Sequence, residues 1–329
     1  MKKENYGSAI LSAFEYLLAK YPEVFIIGQG LWSPWYVGNT MTGLEAKYGK
    51  DRIIDTPVSE SAITGAAVGA SIAGMMPIVV HPRMDFMLYA IDPIVNQAAK
   101  WSYMFGGQAS AGVTVRAIIN RGGEQGAQHS QALHSWFSHI PGLRVVMPHS
   151  VSDARDLLIS AVLSKDPVIY IDDRWLYSKE DVLTEIEELD LSIIKPKIVH
   201  QGRDITLVGA GYSSSLCIEV AIKLERCGYS ADVVDLRVIS PIDANQICQS
   251  VEKTGRLIVV DGGWSPCGLA GEIIASVVER INPNVLISTP ARITLPHCPA
   301  PTSKIMEEAY YPSVKNVFDA VLKKLAEKK

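Results

Sequence analysis

The sequence lacks the features that mark membrane, nucleic-acid-binding and secreted proteins. No uninterrupted apolar run approaches the roughly 20 residues that a bilayer span requires. The formal net charge of the 329-residue chain is only −4, and its lysines and arginines are scattered, so no basic surface for nucleic acid or membrane is indicated. The opening stretch MKKENYGSAILSAFEYLLAKYPEVF has the apolar spacing of an amphipathic helix and not of a signal peptide. We therefore expect a soluble protein of the cytoplasm.

Motifs for disulfides, metals and nucleotides are also missing. The five cysteines are odd in number and form no C-x-x-C, so reduced, buried thiols are expected. His129, His134 and His139 lie five residues apart, a spacing that does not stack them on one helix face, and no cysteine or carboxylate pair completes a zinc site. The glycine turns GQG, GAG and DGG follow apolar runs, but none is a G-x-G-x-x-G or a Walker loop. These turns indicate ordinary connections more than phosphate sites.

Short apolar runs alternate with longer stretches of helical period. The runs VFIIGQG, RIIDTP, MPIVVHP, GVTVRAIINRGG, LRVVMP and PVIYIDD are bounded by glycine, proline or aspartate, which is typical of parallel strands buried on both faces. With the helical stretches between them, they predict an α/β fold: a doubly wound parallel-sheet domain over residues 1–186. The acidic, strand-poor segment 187–203 is interpreted as a linker. A second α/β series, with the runs ITLVGAG and RLIVVDGG, occupies residues 204–329.

Glu60 lies in the stretch DTPVSESAITGAAVGASIAG, which is otherwise rich in small residues. One interpretation is a carboxylate favoured by the dipole at a helix N-terminus. However, Gly65, Gly69 and the alanines beside them leave one helix face almost without side-chain bulk, which favours close approach of another backbone. A carboxylate facing such an interface would be desolvated, with a raised pKa, and could hold or share a proton near neutrality. Thiamine diphosphate chemistry requires such a group.

His129 lies in a second polar stretch, RGGEQGAQHSQALHSWFSHIPGLRVVMP, which follows a predicted buried strand. Loops at the carboxyl ends of strands carry the ligands of α/β sheets. A histidine in such a loop is more often a hydrogen-bonded structural residue than a catalyst. Among the three histidines of this stretch, His129 at the turn is the preferred catalytic candidate.

Six stretches occur in order along nearly the whole chain: KYGKDRIIDTPVSESAITGAAVGASIAGMMPIV, FMLYAIDPIVNQAAKWSYMFGG, AQHSQALHSWFSHIPGLRVVMPHSVSDARDLL, LRVISPID, VVDGGW and PAPTSKIMEE. Together they resemble the β subunit of the thiamine-dependent decarboxylase component of 2-oxo acid dehydrogenase complexes, such as the pyruvate and acetoin dehydrogenase types. The resemblance implies an oxidoreductase with a pyrimidine-binding domain followed by a transketolase C-terminal domain.

The resemblance implies roles for three residues. Glu60 matches a glutamate that hydrogen-bonds a ring nitrogen of the cofactor's aminopyrimidine and favours its imino tautomer, and Phe86 matches an aromatic residue packed against that ring. His129 matches a histidine of the reaction channel, which can hydrogen-bond the substrate carboxylate or transfer protons. Glu60 and His129 are therefore the expected catalytic residues, and Glu60 and Phe86 the expected contacts of thiamine diphosphate.

The resemblance also implies an active site shared with another chain. In the family a G-D-G motif holds the cofactor diphosphate through Mg²⁺, and this sequence has no G-D-G. An α subunit is therefore expected to hold the Mg²⁺, in a heterotetramer of two α and two β subunits, with a lipoyl acyltransferase core as a further partner. Some members bind K⁺, and Ser164 replaces an acidic residue of that site. The matching positions are Val113, Ala161, Val162, Ser164 and Asp166.

Two stretches depart from the family pattern. GQGLWSPWYVGNT occurs where the family has G-E-E-V, so that two carboxylates near the cofactor are lost. HPRMDF places His81 and Arg83 where the family has apolar or hydroxyl residues. Arg83 either pairs with a carboxylate or phosphate or faces solvent. Together with Gln29, these two residues form the expected substrate pocket, which therefore differs from that of the family.

Three functions remain open. The preferred one is a β subunit that, with an α subunit, decarboxylates a small 2-oxo acid and passes the fragment to an acceptor, with acyl transfer to a lipoyl domain as the family default. The second is a carboligase or split transketolase-type subunit whose acceptor is a carbonyl compound. The third is a non-catalytic regulatory subunit that retains the fold.

Overall fold

Two compact units make up the structure, a computed structural model that describes residues 3–327. The first unit comprises Met1–Arg121 and Gln128–Ile194, and the second comprises Gly122–Ala127 and Lys195–Lys329. Each unit contains a mainly parallel sheet with helices between its strands. The predicted α/β fold is confirmed.

The first unit contains, in chain order, β1 (Lys3–Asn5), α1 (Tyr6–Lys20), β2 (Val24–Gly28), α2 (Leu44–Tyr48), β3 (Ile53–Asp55), α3 (Glu60–Ile72), β4 (Met76–His81), α4 (Ala99–Met104), β5 (Thr114–Ile119), α5 (His134–Ser138), β6 (Arg144–Val146), α6 (Val151–Leu163), β7 (Val168–Asp173) and β8 (Glu180–Val182). Shorter turns of helix complete it: 3-10 segments at Met84–Ala90, Arg174–Leu176 and Leu191–Ile193, and a π-helical turn at Pro93–Ala98. β1 and β8 form an antiparallel pair apart from the main sheet.

Six parallel strands of the first unit lie in the order β6-β7-β5-β4-β2-β3. Every residue of β5 and β7 is buried, which is the burial expected of strands covered on both faces. In the register, Val80 of β4 lies opposite Gly28 of β2 on one side and Arg116 of β5 on the other. Since all six strands run the same way, their carboxyl ends meet along one edge of the sheet.

A buried ion pair crosses the interior of this sheet. The Nε and Nη2 atoms of Arg116 donate to the two carboxylate oxygens of Asp172 at 3.0 and 2.8 Å, and both side chains are fully buried. Arg116 Nη1 also donates to the Thr40 hydroxyl at 2.8 Å, and the Tyr177 hydroxyl donates to Asp172. Each charged group therefore has hydrogen-bond partners, which is the condition under which a buried pair is tolerated.

The second unit contains, in chain order, β9 (Lys197–His200), β10 (Ile205–Gly209), α7 (Tyr212–Glu225), β11 (Ala231–Asp235), β12 (Val238–Ser240), α8 (Asn245–Thr254), β13 (Leu257–Trp264), α9 (Leu269–Val278), β14 (Ala291–Leu295), α10 (Lys304–Tyr310) and α11 (Val314–Ala326), with a 3-10 segment at Pro283–Val285. Its five-stranded sheet has the order β14-β13-β10-β11-β9, and only β9 runs antiparallel to its neighbour. α7 and α11 pack together over its apolar core.

Two segments differ from their predicted structure. The spacing of DPIVNQAAKWSYMF predicts one helix capped by Asp92, but the structure has a π-helical turn followed by α4. Asp92 has helical backbone angles, and its carboxylate accepts from Asn96 Nδ2 at 2.7 Å, so it does not act as the cap. The segment 187–203, interpreted as a linker, contains β9, because its partly buried Ile198 and Val199 complete the edge of the second sheet.

Two further properties of the described chain concern membrane spans and cysteines. Within residues 3–327, no helix is long and apolar enough to cross a membrane. All five cysteines are free thiols. The expected burial of these thiols holds for Cys217 and Cys248, whereas Cys227, Cys267 and Cys298 are exposed.

Candidate active site

The residues predicted for the active site follow the carboxyl ends of neighbouring parallel strands. Gln29 comes directly after β2, Glu60 follows β3, Arg83 and Phe86 follow β4, and His129 follows β5. Because β3, β2, β4 and β5 are adjacent in the sheet, one edge carries all five residues. In α/β sheets this edge is where ligands bind.

Glu60 is the first residue of α3. Ser59 occupies the N-cap position, but its hydroxyl donates to the Val58 carbonyl at 2.7 Å and does not cap the helix. A carboxylate at this place is favoured by the helix dipole, and the Glu60 side chain is half-buried. A favourable helix position and a cofactor contact are both compatible with this geometry.

One face of α3 packs against the rest of the first unit. The opposite face, called the bare face below, is exposed. The packed face contacts β4 and the segment Met84–Ala90. Its buried residues are Ile63, Thr64, Ala67, Val68 and Ser71. Gly65, Ala66 and Gly69 are exposed on the bare face, and a Cβ at Gly65 or Gly69 would meet no atom within 4 Å. The two glycines thus lower the stability of the helix. No close packing against another part of this chain compensates for that cost.

Phe86 and His129 are in direct contact. Their ring centroids lie 5.5 Å apart with an interplanar angle of 83°, the edge-to-face arrangement that aromatic rings prefer. The adjacent Asp85 accepts hydrogen bonds from the Gln131 side chain at 2.9 Å and from its backbone N–H at 3.3 Å. Burial raises the pKa of Asp85, and the bonds from Gln131 partly offset this shift. Together these contacts tie the loop after β5 to the segment after β4.

His81 does not reach the expected substrate pocket. It is the last residue of β4 and only 1% exposed. Its Nε2 atom lies 3.3 Å from the Thr64 hydroxyl of α3, so the side chain is enclosed between the sheet and that helix. A ring in this position cannot contact a substrate, and we correct the sequence-based expectation for His81 accordingly.

We expect His81 to make the first unit sensitive to acid. Burial lowers the pKa of His81 from 6.5 to about 4. Below pH 6.5 the unfolded chain therefore binds a proton that the folded chain does not, so stability falls as the pH drops from 6.5 toward 4 and is unaffected at neutral pH. At about pH 5 the loss from this group is about 2 kcal/mol.

Urea unfolding at about pH 7.5 and about pH 5 measures this effect. Five of the six tryptophans lie in the first unit, so fluorescence reports mainly its unfolding. His81→Asn should remove about 2 kcal/mol of the pH-dependent change, whereas the exposed His139, replaced by Asn, should leave it intact. An identical pH-dependent change in wild type and His81→Asn would contradict the expectation.

The loop after β2 has a defined conformation. Asp55 accepts the backbone N–H groups of Gly30 and Trp32 at 2.7 and 3.3 Å, and Gln29 Nε2 donates to the Tyr36 hydroxyl at 3.3 Å. Gly30 has a φ of +71°, and a Cβ there would lie 2.1 Å from the Tyr36 ring. Both the backbone conformation and the close approach of Tyr36 therefore require glycine. The loop holds Gln29 and Tyr36 together.

Two arginines lie at the same edge of the sheet. Arg83 precedes the 3-10 segment after β4, and its Nη1 donates to the Pro82 carbonyl at 2.7 Å. Arg174 follows β7, and its Nη2 donates to the Tyr36 carbonyl at 2.5 Å. Arg174 was not predicted as a site residue. It directly follows the apolar run PVIYIDD, the same signal that marks the other strand ends.

At the positions expected for K⁺, the structure has an ion pair between Asp166 and Arg144. Asp166 Oδ2 lies 2.6 Å from Arg144 Nε, and the Asp166 N–H donates to the Ser164 hydroxyl at 3.1 Å. The other positions, Val113, Ala161 and Val162, are buried. Arg144 therefore supplies the positive charge beside Asp166. Within residues 3–327, no group of three histidine, cysteine, aspartate or glutamate side chains is arranged to hold a metal ion.

These residues fit one half of a thiamine diphosphate site. Glu60 offers a carboxylate to a ring nitrogen, and the half-buried Phe86 and His129 rings offer apolar and hydrogen-bonding surface to a flat aromatic group. Among residues 3–327, no three histidine, cysteine, aspartate or glutamate side chains are arranged to hold the metal ion of the diphosphate.

Comparisons with known proteins agree with this architecture. The family model "Transketolase, pyrimidine binding domain" matches residues 2–179, and "Transketolase, C-terminal domain" matches residues 195–317. The chain is 38% identical over 332 residues to the acetoin:2,6-dichlorophenolindophenol oxidoreductase subunit beta of Cupriavidus necator, covering 98% of this chain and 97% of the relative. It is 36% identical over 320 residues to the mitochondrial pyruvate dehydrogenase E1 component subunit beta of Bos taurus, covering 96% and 89%.

A solved structure described as "Split gene transketolase, inactive beta4 tetramer" shares the fold, with a TM-score of 0.77 at 21% identity over 98% of this chain and 97% of that chain. Fold and site together define a two-domain chain of the transketolase type. The chain belongs to the family of β subunits of the thiamine diphosphate-dependent decarboxylase component of 2-oxo acid dehydrogenase complexes. The resemblance drawn from the six sequence stretches is confirmed.

Proposed function

We propose that the chain is the β subunit of a thiamine diphosphate-dependent 2-oxo acid dehydrogenase component and supplies the aminopyrimidine half of an active site completed by an α subunit. Bound thiamine diphosphate supplies the carbanion chemistry by which a 2-oxo acid loses CO₂. One observation carries the proposal: Glu60 begins a helix whose Gly and Ala face is bare within this chain. A second backbone can approach that face closely, and the chain that supplies it can also cover the half-buried Glu60 carboxylate at the start of the helix.

The chain's own residues have separate roles in this proposal. Glu60 hydrogen-bonds a ring nitrogen of the aminopyrimidine and holds or shares the proton there. Phe86 packs against the ring. His129, whose ring lies edge-to-face with Phe86, hydrogen-bonds the substrate carboxylate or holds a proton.

Exposed aromatic side chains support a stable complex. Tyr89, Tyr103 and Phe105 in the first unit are 77%, 91% and 49% exposed, and such side chains mark an interaction surface where they form a contiguous patch. We propose a heterotetramer of two α and two β subunits in which the α subunit holds Mg²⁺, with a lipoyl acyltransferase core as acyl acceptor. The K⁺ site stays a prediction of the family resemblance, and Arg144 pairs with Asp166 at its positions. The cytoplasm is kept as the compartment, since free thiols suit a reducing environment.

Calorimetric titration of thiamine diphosphate with Mg²⁺ tests the shared site. The cofactor is titrated into this chain alone, and into its complex with an α-type chain encoded beside it. We expect tight binding only in the complex, and weaker binding when the complex carries Glu60→Ala. Glu23→Ala is the matched control, because Glu23 is an exposed glutamate of the same unit.

Each other outcome has a definite meaning. Tight binding to this chain alone would overturn the half-site, since the chain would then hold diphosphate and metal by itself. Binding to neither sample would favour a non-catalytic regulatory subunit. Equal binding by the Glu60→Ala and wild-type complexes would remove Glu60 from the cofactor site.

Replacing Gly65 with alanine should have opposite effects on the stability of the isolated chain and on its association with the α subunit. The added methyl meets no atom of this chain, and alanine favours a helix over glycine by about 1 kcal/mol, so the isolated chain should become more stable. The same methyl should weaken association with the α subunit if another backbone packs there. Thermal melts of the chain and sedimentation of the mixture measure the two effects. Unchanged association would contradict a close backbone approach at Gly65.

The altered stretch GQGLWSPWYVGNT, in which Gln29 Nε2 donates to the Tyr36 hydroxyl, favours a second candidate function, a carboligase. In that reaction the 2-oxo acid loses CO₂, its carbonyl carbon bonds to the aldehyde carbon of an acceptor, and the aldehyde oxygen takes up the proton, so no oxidant is needed. Acceptor assays with lipoamide against short hydroxyaldehydes separate the two candidates. Product with the aldehyde and none with lipoamide would replace the dehydrogenase by the carboligase.

A further inference from the structure

His129 lies on a loop without regular secondary structure. Residues 120–133, between β5 and α5, contain neither helix nor strand. Phe86, which the His129 ring contacts, lies on the 3-10 segment Met84–Ala90. Since loops are more mobile than the elements they connect, the contacts between this loop and the 3-10 segment decide where the His129 ring lies.

Three successive residues of the 3-10 segment contact three alternate residues of the loop. The contacting pairs are Met84–Leu133, Asp85–Gln131 and Phe86–His129. The middle pair has two hydrogen bonds, since Asp85 accepts from the Gln131 side chain at 2.9 Å and from its backbone N–H at 3.3 Å. A carboxylate is a stronger acceptor than a thioether sulfur, so this pair contributes most to holding the loop on the segment.

The Asp85 carboxyl group is buried at a cost in stability. Asp85 is only 7% exposed, and burial raises its pKa. Its second oxygen, Oδ2, is buried and forms no hydrogen bond of normal geometry with residues 3–327, an arrangement that lowers stability. Such departures from good packing are concentrated at functional sites. At this cost, Asp85 fixes Gln131 and with it the loop that carries His129.

We propose that Asp85 and Gln131 are positioning residues, which hold the His129 ring beside Phe86 in the arrangement that the reaction needs. Both act through His129 and Phe86 and not through contact with the substrate. The inference rests on the proposed function, because it concerns the two rings of that same site. It adds to that function two residues on which the placement of the rings depends.

Small displacements of the His129 ring should have large effects on rate. A shift of about 1 Å in a group at the reaction centre can lower the rate by about 100-fold. Gln131 lies two residues after His129 in the same loop, so releasing Gln131 moves the ring. Asp85→Ala releases Gln131 but also removes a buried carboxyl group. Its effect on the thermal stability of the chain should therefore be small while turnover falls.

Ring-current shifts in the NMR spectrum of the full chain measure the placement of the rings without cofactor. Labelling histidine with ¹³C gives a signal for each of the seven histidines, and His129→Asn identifies the signal of His129. Asp85→Ala and Gln131→Ala should each move this signal toward that of an unstructured histidine, because the ring leaves Phe86. Asp85→Asn keeps an acceptor for Gln131 and should keep the wild-type shift.

Asp92→Ala is the matched control. The Asp92 carboxylate also accepts from a side-chain amide, Asn96 Nδ2 at 2.7 Å, but at an exposed position away from the loop. This variant should leave the His129 signal unchanged, and thermal melts of all samples show that they are folded. An unchanged His129 signal in both alanine variants would overturn the proposal. Equal changes in Asp85→Ala and Asp85→Asn would also overturn it.

Kinetics of the assembled complex connect ring placement with the reaction. Asp85→Ala and Gln131→Ala should lower kcat/KM for the 2-oxo acid by about 10- to 100-fold, and Asp85→Asn should stay within about threefold of wild type. A purely structural role would change melting temperatures without this rescue by asparagine. Wild-type kcat/KM in both alanine variants would contradict the assignment. The NMR measurement needs neither cofactor nor α subunit, so failure of this inference is distinguishable from failure of thiamine diphosphate binding.

Discussion

Replacing Glu60 with glutamine should lower kcat of the assembled complex by about 100- to 10,000-fold, the range typical of lost proton transfer. Glutamine keeps the size of the side chain and its ability to form hydrogen bonds, but it cannot take up or share a proton. Glu60 is half-buried at the start of α3 and has no ion pair among the described residues. The fold should therefore tolerate the change, and KM for the 2-oxo acid should change little.

Steady-state kinetics of the complex, with thermal melts of the same samples, measures this effect. Glu23→Gln, at an exposed position of the first unit, should retain wild-type kcat. A loss of less than about threefold in Glu60→Gln would remove proton chemistry from Glu60. That result would favour a regulatory role for the chain.

Replacing Arg116 with alanine should lower the unfolding free energy of the first unit by about 3–5 kcal/mol. The change leaves the carboxylate of Asp172 buried without its ion-pair partner. It also removes a donor from the Thr40 hydroxyl. Tryptophan fluorescence during urea unfolding measures the loss.

Two further variants test whether the loss comes from the uncompensated charge. The double variant Arg116→Met with Asp172→Leu removes both charges and should recover part of the stability, because paired removal avoids a lone buried carboxylate. Lys47→Ala breaks a largely exposed pair with Glu15 in the same unit and should have no resolvable effect. A double variant as unstable as the sum of its single changes would contradict this explanation.

The local pattern of the sequence predicted most of the fold. The apolar runs RIIDTP, MPIVVHP and PVIYIDD correspond to β3, β4 and β7, because strands buried on both faces need apolar residues along their whole length. The stretch SVSDARDLLISAVLSK predicts a helix capped by Ser150, and in the structure the Ser150 hydroxyl accepts from the Asp153 N–H at the start of α6. Local pattern failed at Asp92, because a helical backbone continues through that residue and a capping residue type does not ensure a cap.

The candidate site was less predictable, because it depends on sheet order. The family resemblance pointed to Glu60, Phe86 and His129, and the structure brings the last two into contact. The local sequence does not show that Arg83 and Arg174 lie at the same edge of the sheet, because they follow different strands, β4 and β7, and β5 lies between those strands. The burial of His81 was also unpredictable, because its enclosure depends on how α3 packs over β4.

The bare face of α3 has a consequence for mutational scanning. In a screen that scores only folding of the isolated chain, Gly65 and Gly69 would tolerate many residues, because no atom of the chain lies where a side chain would grow. In a screen that scores growth dependent on the working enzyme, the same positions should rank among the least tolerant. The positions that tolerate substitution in the first screen but not in the second would identify, residue by residue, the surface of this chain that contacts the α subunit.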